Sequence, residues 1–245
     1  MESQHPMTLA GKNAVVFGGG SGIGQAIART LASAQVSVAI GGRRSEALLE
    51  TARSTSIQFH AVDIACRKSV GDFFDWFHKS HENLDILVNA AGVNIRDRSM
   101  ATMPPEEWDR ILAINATGAY NAMQAALPRM RKRGQGTIIN VSSIAGKRAI
   151  ALGGIAYSAS KFAMSALGTC VSNEVAPDGV RVTNLYPGEV NTPLLEHRPQ
   201  PVTDEHKQRI LQPEHVAELV LCLVALPQSV HVPEVIIKPL SQQWF

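Results

Sequence analysis

Short apolar runs alternate with amphipathic stretches along most of the 245-residue chain. The runs at residues 14–17 and 36–40 have the length and β-branched content of buried strands. After the first run, apolar residues such as Ala26, Ile27 and Leu31 recur at helical spacing. Strands that alternate with helices in this way predict a parallel sheet covered by helices on both faces.

The same alternation continues towards the C-terminus. Further strands are predicted at 57–62, 84–88, 137–141 and 180–185, and helices at 70–77, from 104 to about 131, around Tyr157, and at 213–226. No Pro/Ser-rich linker, internal repeat or low-complexity segment divides the chain. We therefore expect one α/β domain over residues 1–245, with about seven parallel strands and a short N-terminal tail at residues 1–10.

Composition and charge argue against several classes of protein. Hydrophobic residues make up 45% and charged residues 18% of the chain, which is typical of a packed globular protein. The net charge of +2 predicts neither a nucleic-acid partner nor a membrane surface. Because no segment has the length of a signal peptide or a membrane span, we expect a cytoplasmic protein. Its three cysteines, Cys66, Cys170 and Cys222, lack metal-ligand spacing, so we expect buried, reduced thiols and no metal.

The first predicted strand ends in a glycine-rich turn at residues 18–24, directly before a helical pattern. A bare backbone lets a pyrophosphate sit against the N-terminus of the following helix. The alternative is a flexible turn, since glycine clusters are common. The strand before the turn and the helix after it favour a nucleotide site, and hence a doubly wound Rossmann fold.

The second predicted strand ends in Gly41-Gly42-Arg43-Arg44. A sheet that binds NAD usually carries an acidic residue here, about 20 residues past the glycine turn. A guanidinium instead suits the 2′-phosphate of NADP. We therefore expect NADP(H) as the cofactor, with NAD(H) as the other possibility; simple solvation of both arginines is the alternative.

Tyr157 and Lys161 stand four residues apart in a segment rich in small residues. At this spacing both side chains leave one face of a helix. A free tyrosine has a pKa of about 10, and a nearby ammonium lowers it by favouring the phenolate. The pair is a candidate acid/base device, although the same spacing also occurs by chance, with a half-buried tyrosine and a solvated lysine.

Together these motifs resemble the short-chain dehydrogenase/reductase family over nearly the whole chain. The matching residues are Gly18-x-x-x-Gly22-Ile23-Gly24, Asn89-Ala90-Ala91-Gly92, Asn115, Ser143, Tyr157-x-x-x-Lys161 and Pro187-Gly188, in the family's order and spacing. Phe17 departs from the family, which usually has threonine there. The resemblance implies hydride transfer between a nicotinamide cofactor and a carbonyl or secondary alcohol, with reduction by NADPH favoured.

The resemblance also implies a catalytic set of Asn115, Ser143, Tyr157 and Lys161. Tyr157 would protonate the carbonyl oxygen, while Lys161 would bind the nicotinamide ribose and lower the tyrosine pKa. Ser143 would bond the substrate oxygen, and Asn115 would hold a water that links Lys161 to solvent. Strand alternation points Ser142 and Ser143 to opposite faces, and the family pattern favours Ser143. A solvent-facing position is the alternative for Asn115.

Cofactor contacts follow from the same resemblance. They are Gly18, Ser21, Gly22, Ile23 and Gly24 at the pyrophosphate, Arg43 and Arg44 at the 2′-phosphate, Asp63, Ile64, Asn89, Ala90 and Gly92 around the adenosine, and Pro187, Gly188, Val190 and Thr192 with Tyr157 and Lys161 at the nicotinamide. Asp63 and Asn89 have structural alternatives, because such residues often cap helices or brace strand ends.

Residues 191–210, the lid segment, follow the sixth predicted strand, where the family carries its substrate lid. Arg198 in this segment, with Arg96 and Arg98 after the fourth strand, would suit a carboxylate-bearing substrate, although ordinary surface charge explains each of them as well. The resemblance further implies a homodimer or homotetramer, paired through the helices around Asn115 and Lys161.

Three other functions compete with a reductase of small carbonyl compounds. A non-catalytic nucleotide sensor would have no need of the acid/base set, and an epimerase usually has a longer substrate domain. A 3-oxoacyl-carrier-protein reductase of the same family usually ends in a glycine-rich segment. Residues 232–239 differ from that ending and look more like relatives that act on small 3-hydroxy acids.

Overall fold

Seven strands form one parallel sheet in the computed structural model, which describes residues 8–243. They are β1 (Asn13–Phe17), β2 (Ser37–Gly42), β3 (Gln58–Ala61), β4 (Ile86–Asn89), β5 (Gly136–Val141), β6 (Val180–Pro187) and β7 (Glu234–Ile237). Their order across the sheet is β3-β2-β1-β4-β5-β6-β7. The predicted doubly wound Rossmann fold is confirmed. Of the predicted N-terminal tail, residues 1–7 lie outside the described residues.

Helices cover both faces of this sheet. Those in the described chain are α1 (Gly22–Ser33), α2 (Ser45–Ala52), α3 (Arg67–Phe77), α4 (Pro105–Leu112), α5 (Gly118–Arg133), α6 (Ile155–Val175), α7 (Asp204–Arg209) and α8 (Pro213–Ala225). Ile27 of α1 and Val220 of α8 are fully buried in the core on one face. Phe73 of α3 and Met123 of α5 fill the core on the other. Burial on both faces explains why the strands read as continuous apolar runs.

The strand order reverses between β1 and β4, which opens a crevice at their carboxyl ends. The register pairs Phe17 with Asn89, so both strands end at the same level. A side chain at Gly18 would lie only 2.6 Å from the backbone nitrogen of Ala91. Phe17 stands just before the glycine turn, where the family usually has threonine. Two backbone hydrogen bonds brace the turn instead: Gly18 N–H donates to the Gly41 carbonyl (2.8 Å), and Ala90 N–H donates to the Phe17 carbonyl (3.0 Å).

The helix predicted from 104 to about 131 is interrupted. Between α4 and α5, residues Ala113–Thr117 form one wider π-helical turn. Asn115 lies in this turn and is fully buried, which excludes the solvent-facing alternative. Single π turns inside α-helices often mark functional sites.

The prediction of buried cysteines is wrong. Cys66, Cys170 and Cys222 are free but exposed, because they lie before α3 and on the outer faces of α6 and α8, whose buried positions other residues fill. Within residues 8–243, no group of three metal-ligating side chains comes together. In the same range, no helix has the length and apolar character needed to cross a membrane.

Candidate active site

A cavity of about 820 Å³ opens in the crevice between β1 and β4. Its walls come from the turns after the first four strands, the first turns of α6 and the lid segment. The predicted site residues that line it are Gly18, Ser21, Gly22, Ile23, Gly24, Arg43, Arg44, Asp63, Ile64, Ala90, Gly92, Tyr157, Lys161 and Thr192. The structure therefore gathers most of the expected nucleotide and proton-transfer groups around one space.

The glycine turn leaves the N-terminus of α1 open to this cavity. Gly18 and Gly22 have φ values of +81° and +53°, a conformation that favours glycine. A Cβ at Gly24 would stand 2.3 Å from the carbonyl oxygen of Gly18. Ser21 makes no side-chain bond to the helix terminus, so the first N–H groups remain available to an anion. These features fit the pyrophosphate of a dinucleotide.

The turn after β2 forms the cationic end of the cavity. Arg43 and Arg44 are exposed and line the cavity wall. The turn itself, Gly41-Gly42-Arg43-Arg44, contains no acidic residue. Asp63, after β3, lines the wall as well, but its Oδ1 accepts a bond from the backbone of Ala65 (3.1 Å). This carboxylate braces its own turn, in line with the structural alternative.

At the end of the cavity opposite these arginines, Tyr157 and Lys161 share one face of α6. The Lys161 Nζ lies 5.7 Å from the centre of the Tyr157 ring and donates to the carbonyl of Val141 (2.8 Å). Burial lowers the pKa of Lys161 to about 8, because an ammonium without water is costly. Gly92 faces this ammonium without a side chain; a Cβ there would lie 3.5 Å from Nζ.

The pKa of Tyr157 is raised, although Lys161 was expected to lower it. Part of the side chain borders the cavity, yet burial is the largest influence, since a phenolate in protein surroundings loses hydration. The groups that oppose this rise are the hydroxyl of Ser143, through a hydrogen bond, and the positive charge of Arg98. Lys161 is not among these groups, and its expected effect on the tyrosine pKa stays a prediction.

The two adjacent serines after β5 face different surroundings. The Ser143 Oγ accepts a bond from the backbone N–H of Ala145 (3.1 Å), which leaves its own proton to be donated towards Tyr157. The Ser142 Oγ instead donates to the carbonyl of Lys161 (3.1 Å) on the buried side of α6. A hydrogen bond thus joins Ser143, rather than Ser142, to the tyrosine. Of the two serines, however, Ser142 is the one that lines the cavity.

Asn115 braces the turn after β4 against α6. Its Oδ1 accepts from the backbone N–H of Val93 (2.8 Å). Its Nδ2 donates to the Val93 carbonyl and to the Ser160 Oγ, both at 3.0 Å. Both amide protons are used, so a water held by this side chain has to donate to Oδ1. The relay role stays a prediction.

Four predicted cofactor contacts lie outside the cavity wall: Asn89, Pro187, Gly188 and Val190. Asn89 donates to the Oδ1 of Asn140 (2.9 Å) and so braces β4 against β5. The C-terminal residues after β7 cover Gly188, where a Cβ would lie 2.2 Å from the Oε1 of Gln242. Val190 turns into the core and pairs with Leu211. These contacts join distant segments, which is why no local motif indicated them.

Several cavity residues belonged to no motif. Asn94 and Arg110 line the wall from the turn after β4 and from α4, and Leu194, Glu196 and His197 line it from the lid segment. The last three lie in a short 3-10 helix, Pro193–His197. The prolines of the lid segment do not by themselves predict this helix. Arg98, named only as a possible substrate contact, does not line the cavity, and its positive charge acts on the pKa of Tyr157.

Comparison with known proteins points to the same family as the sequence motifs. A family model described as short chain dehydrogenase matches residues 12–202. An uncharacterized oxidoreductase of Staphylococcus epidermidis is 32% identical over 230 residues, covering 93% of this chain and 97% of the relative.

Two solved structures are similar over almost their full length. An alcohol dehydrogenase from the archaeon Thermococcus sibiricus, complexed with 5-hydroxy-NADP, has a TM-score of 0.85 at 29% identity and covers 96% of this chain and 99% of its own. A metagenomic short-chain oxidoreductase in complex with NADP has a TM-score of 0.82 at 32% identity, with coverages of 96% and 100%. The chain therefore belongs to the short-chain dehydrogenase/reductase family of oxidoreductases.

Proposed function

We propose that this protein is an NADP(H)-dependent oxidoreductase that interconverts a carbonyl compound and a secondary alcohol, with Tyr157 as the proton donor and acceptor. The observation that carries the proposal is the shared cavity. One end has an open helix N-terminus and two arginines in its wall, and the other has Tyr157 and Lys161. Ser143 is hydrogen-bonded to Tyr157.

The residues of the cavity suit a bound dinucleotide. The open N-terminus of α1 would hold the pyrophosphate, and Arg43 would pair with the 2′-phosphate. Two similar solved structures are described with NADP or 5-hydroxy-NADP, which supports this assignment. When bound, the nicotinamide supplies or accepts the hydride. Lys161, next to the bare backbone of Gly92, would donate to the ribose hydroxyls.

Tyr157 and Ser143 would handle the proton. Ser143 donates a hydrogen bond to the substrate oxygen, where negative charge develops during reduction. Tyr157 gives its proton to the same oxygen, and its phenolate recovers that proton in the oxidation direction. Burial holds the pKa of Tyr157 above its usual value, so the phenol stays protonated at neutral pH. This state favours reduction.

The lid segment, residues 191–210, would close the substrate side. Leu194 and His197 border the cavity from this segment, and Arg96 borders it from the turn after β4. Arg96 is exposed and makes one long bond, 3.5 Å, to the carbonyl of Glu196. It is the arginine best placed to meet an anionic group on a substrate.

A panel of carbonyl compounds, assayed with NADPH and NADH, tests the activity through the loss of reduced-nicotinamide absorbance. With an active substrate, Tyr157→Phe should lower turnover by at least about 10²-fold, the low end of general acid catalysis. Affinity for NADPH should change little, because only one hydroxyl is removed. Tyr120→Phe, the same change on the exposed side of α5, is the matched control.

The outcomes separate the competing functions. Near wild-type turnover in Tyr157→Phe would show that the proton donor is another group. Tight NADPH binding without turnover of any carbonyl or alcohol in the panel would favour the nucleotide-sensing alternative.

A further inference from the structure

Arg98 is a buried cation that lies outside the acid/base set. It follows β4 and is only 9% exposed. Within the described chain the groups that act on its charge are Arg198 and Tyr157, and no carboxylate is among them. A guanidinium stays protonated in proteins, so this is a permanent positive charge in protein surroundings. An unpaired buried charge is costly and calls for an explanation.

The guanidinium of Arg98 joins three separate segments. Nε donates to the carbonyl of Ile95 (2.8 Å) in its own loop, and Nη1 donates to that of Leu152 (2.6 Å) just before α6. Nη2 donates to the carbonyl of His197 in the lid segment. A planar fork with donors in several directions can reach all three acceptors, whereas a lysine ammonium cannot span them.

Gly154 and the start of α6 hold the stem of Arg98. Gly154 has φ +79°, and a Cβ there would lie 2.6 Å from the Cβ of Arg98. The backbone N–H of Ile155 donates to the carbonyl of Arg98 (3.3 Å). Asn94, in the same loop, donates to the carbonyl of Gly153 (3.0 Å). The loop after β4 and the helix that carries Tyr157 are therefore packed as one unit.

Direct contact with the substrate does not explain why a positive charge is buried at Arg98. Among the described residues, Arg96 lines the cavity and Arg98 does not. The neighbouring Arg198 is paired with Glu189 at 2.9 Å. The donors of Arg98 go to main-chain carbonyls, which leaves the lid segment and Tyr157 as the groups on which it acts.

We propose that Arg98 is a positioning residue that fastens the lid segment to the start of α6 and holds a permanent positive charge towards Tyr157. Other charged or titratable groups also line the cavity beyond Asp63 and the arginines after β2. They are Lys161 of α6, Arg96 of the loop after β4, Arg110 of α4, and Glu196 and His197 of the lid segment. Arg198 acts on the charge of Arg98 itself. Burial lowers the pKa of Lys161 to about 8, whereas a guanidinium keeps its charge at alkaline pH. Arg98 is bonded to the carbonyl of Leu152 and packed against Gly154, just before the turn that carries Tyr157, so its charge supports the phenolate there. The catalytic meaning of this charge rests on the proposed function; the clamp on the lid segment does not.

Two substitutions separate the charge from the clamp. Arg98→Met removes both, and Arg98→Lys keeps the charge but loses the three-way bonding. The chain has three tyrosines, so the phenolate absorbance of each protein minus that of its Tyr157→Phe counterpart reports Tyr157 alone. We expect the midpoint of this titration to move to higher pH in Arg98→Met and to stay near the wild-type value in Arg98→Lys and in Arg198→Met. A wild-type midpoint in Arg98→Met would overturn the charge role.

Hydrogen exchange measures the clamp without substrate or cofactor. In both Arg98→Met and Arg98→Lys, the amides of residues 193–209 should exchange at least about tenfold faster, since bonds from a charged donor stabilise the closed segment. Exchange in β5 should not change, which shows that the fold is intact. Unchanged exchange of the lid segment in Arg98→Met would overturn the clamp, whether or not the protein reduces a carbonyl.

Discussion

Two ionisable side chains, Tyr157 and Lys161, are the central groups of the proposed reaction. Burial raises the pKa of Tyr157 and lowers that of Lys161 to about 8, because both charged forms lose hydration. The neutral phenol is the form that can give a proton to a carbonyl oxygen. The hydrogen bond from Ser143 and the charge of Arg98 oppose this rise in the tyrosine pKa, and so favour the phenolate that the proposed oxidation requires.

Lys161→Met should change how stability depends on pH. The lysine pKa falls from its ordinary value of 10.5 to about 8 in the folded protein. Between these values the unfolded chain binds more protons, so the free energy of unfolding of the wild type should rise with pH. Below a pH of about 8, the buried cation costs on the order of 3 kcal/mol. Denaturant unfolding at several pH values should show this rise in the wild type and not in the variant; parallel profiles would contradict the shifted pKa.

Arg43→Ala should weaken the binding of NADPH much more than that of NADH. The guanidinium is expected to bond the 2′-phosphate, which NADH lacks, and a bond to a charged group contributes about 1.5–3 kcal/mol, or roughly tenfold to hundredfold in affinity. Calorimetric titration with each cofactor measures the difference. Arg53→Ala removes an exposed arginine that pairs with Glu50 away from the cavity and should affect neither cofactor. Equal losses for both cofactors in Arg43→Ala would exclude the 2′-phosphate role.

Among the secondary-structure elements, the turns after β1 and β4 form the base of the cavity and touch through Gly18 and Ala91. Local sequence was enough to predict the first turn, because a glycine cluster between a strand and a helix is a short-range signal. The π turn at Ala113–Thr117 was not predictable in this way. Asn115 in that turn is held by Val93 and Ser160, which are 22 and 45 residues away along the chain.

Gly24→Ala should damage the glycine turn. Its Cβ would meet the carbonyl oxygen of Gly18 at 2.3 Å, and a backbone atom cannot move aside as a side chain can. We expect a loss of about 1–3 kcal/mol in stability together with loss of tight NADPH binding. Gly71→Ala in α3, where nothing lies within 4 Å, is the matched control; it should be neutral or stabilise by up to about 1 kcal/mol. Thermal unfolding and cofactor titration measure both, and wild-type NADPH affinity in Gly24→Ala would show that the phosphates bind elsewhere.

Over the whole molecule, large apolar side chains remain exposed on the helices that flank the site. Trp108 of α4, Tyr120 of α5 and Phe162 of α6 are 38%, 38% and 42% exposed. Helices around Asn115 and Lys161 were expected to pair in a homodimer or homotetramer. Apolar surface on these helices supports that assembly, which stays a proposal.

Phe162→Glu should weaken this assembly, since it places a charge in the proposed apolar contact. Size-exclusion chromatography with light scattering should show a dimer or tetramer for the wild type and a smaller species for the variant. Leu49→Glu adds the same charge at a 54% exposed position of α2 and should leave the mass unchanged. A monomeric wild type would contradict the proposed assembly.

Amino-acid order alone predicts the strands, the glycine turn and the spacing of Tyr157 and Lys161. Each of these features depends on residues that are close together in the chain. The surroundings of the site do not. Arg98 reaches carbonyls 54 and 99 residues further along the chain, and the residues after β7 keep Gly188 from the cavity. Folding brings these segments together, and their burial sets which charges face Tyr157. The spacing of the proposed catalytic pair is thus readable in the sequence, whereas the pKa values of the pair and the bond from Arg98 to the lid segment depend on long-range packing.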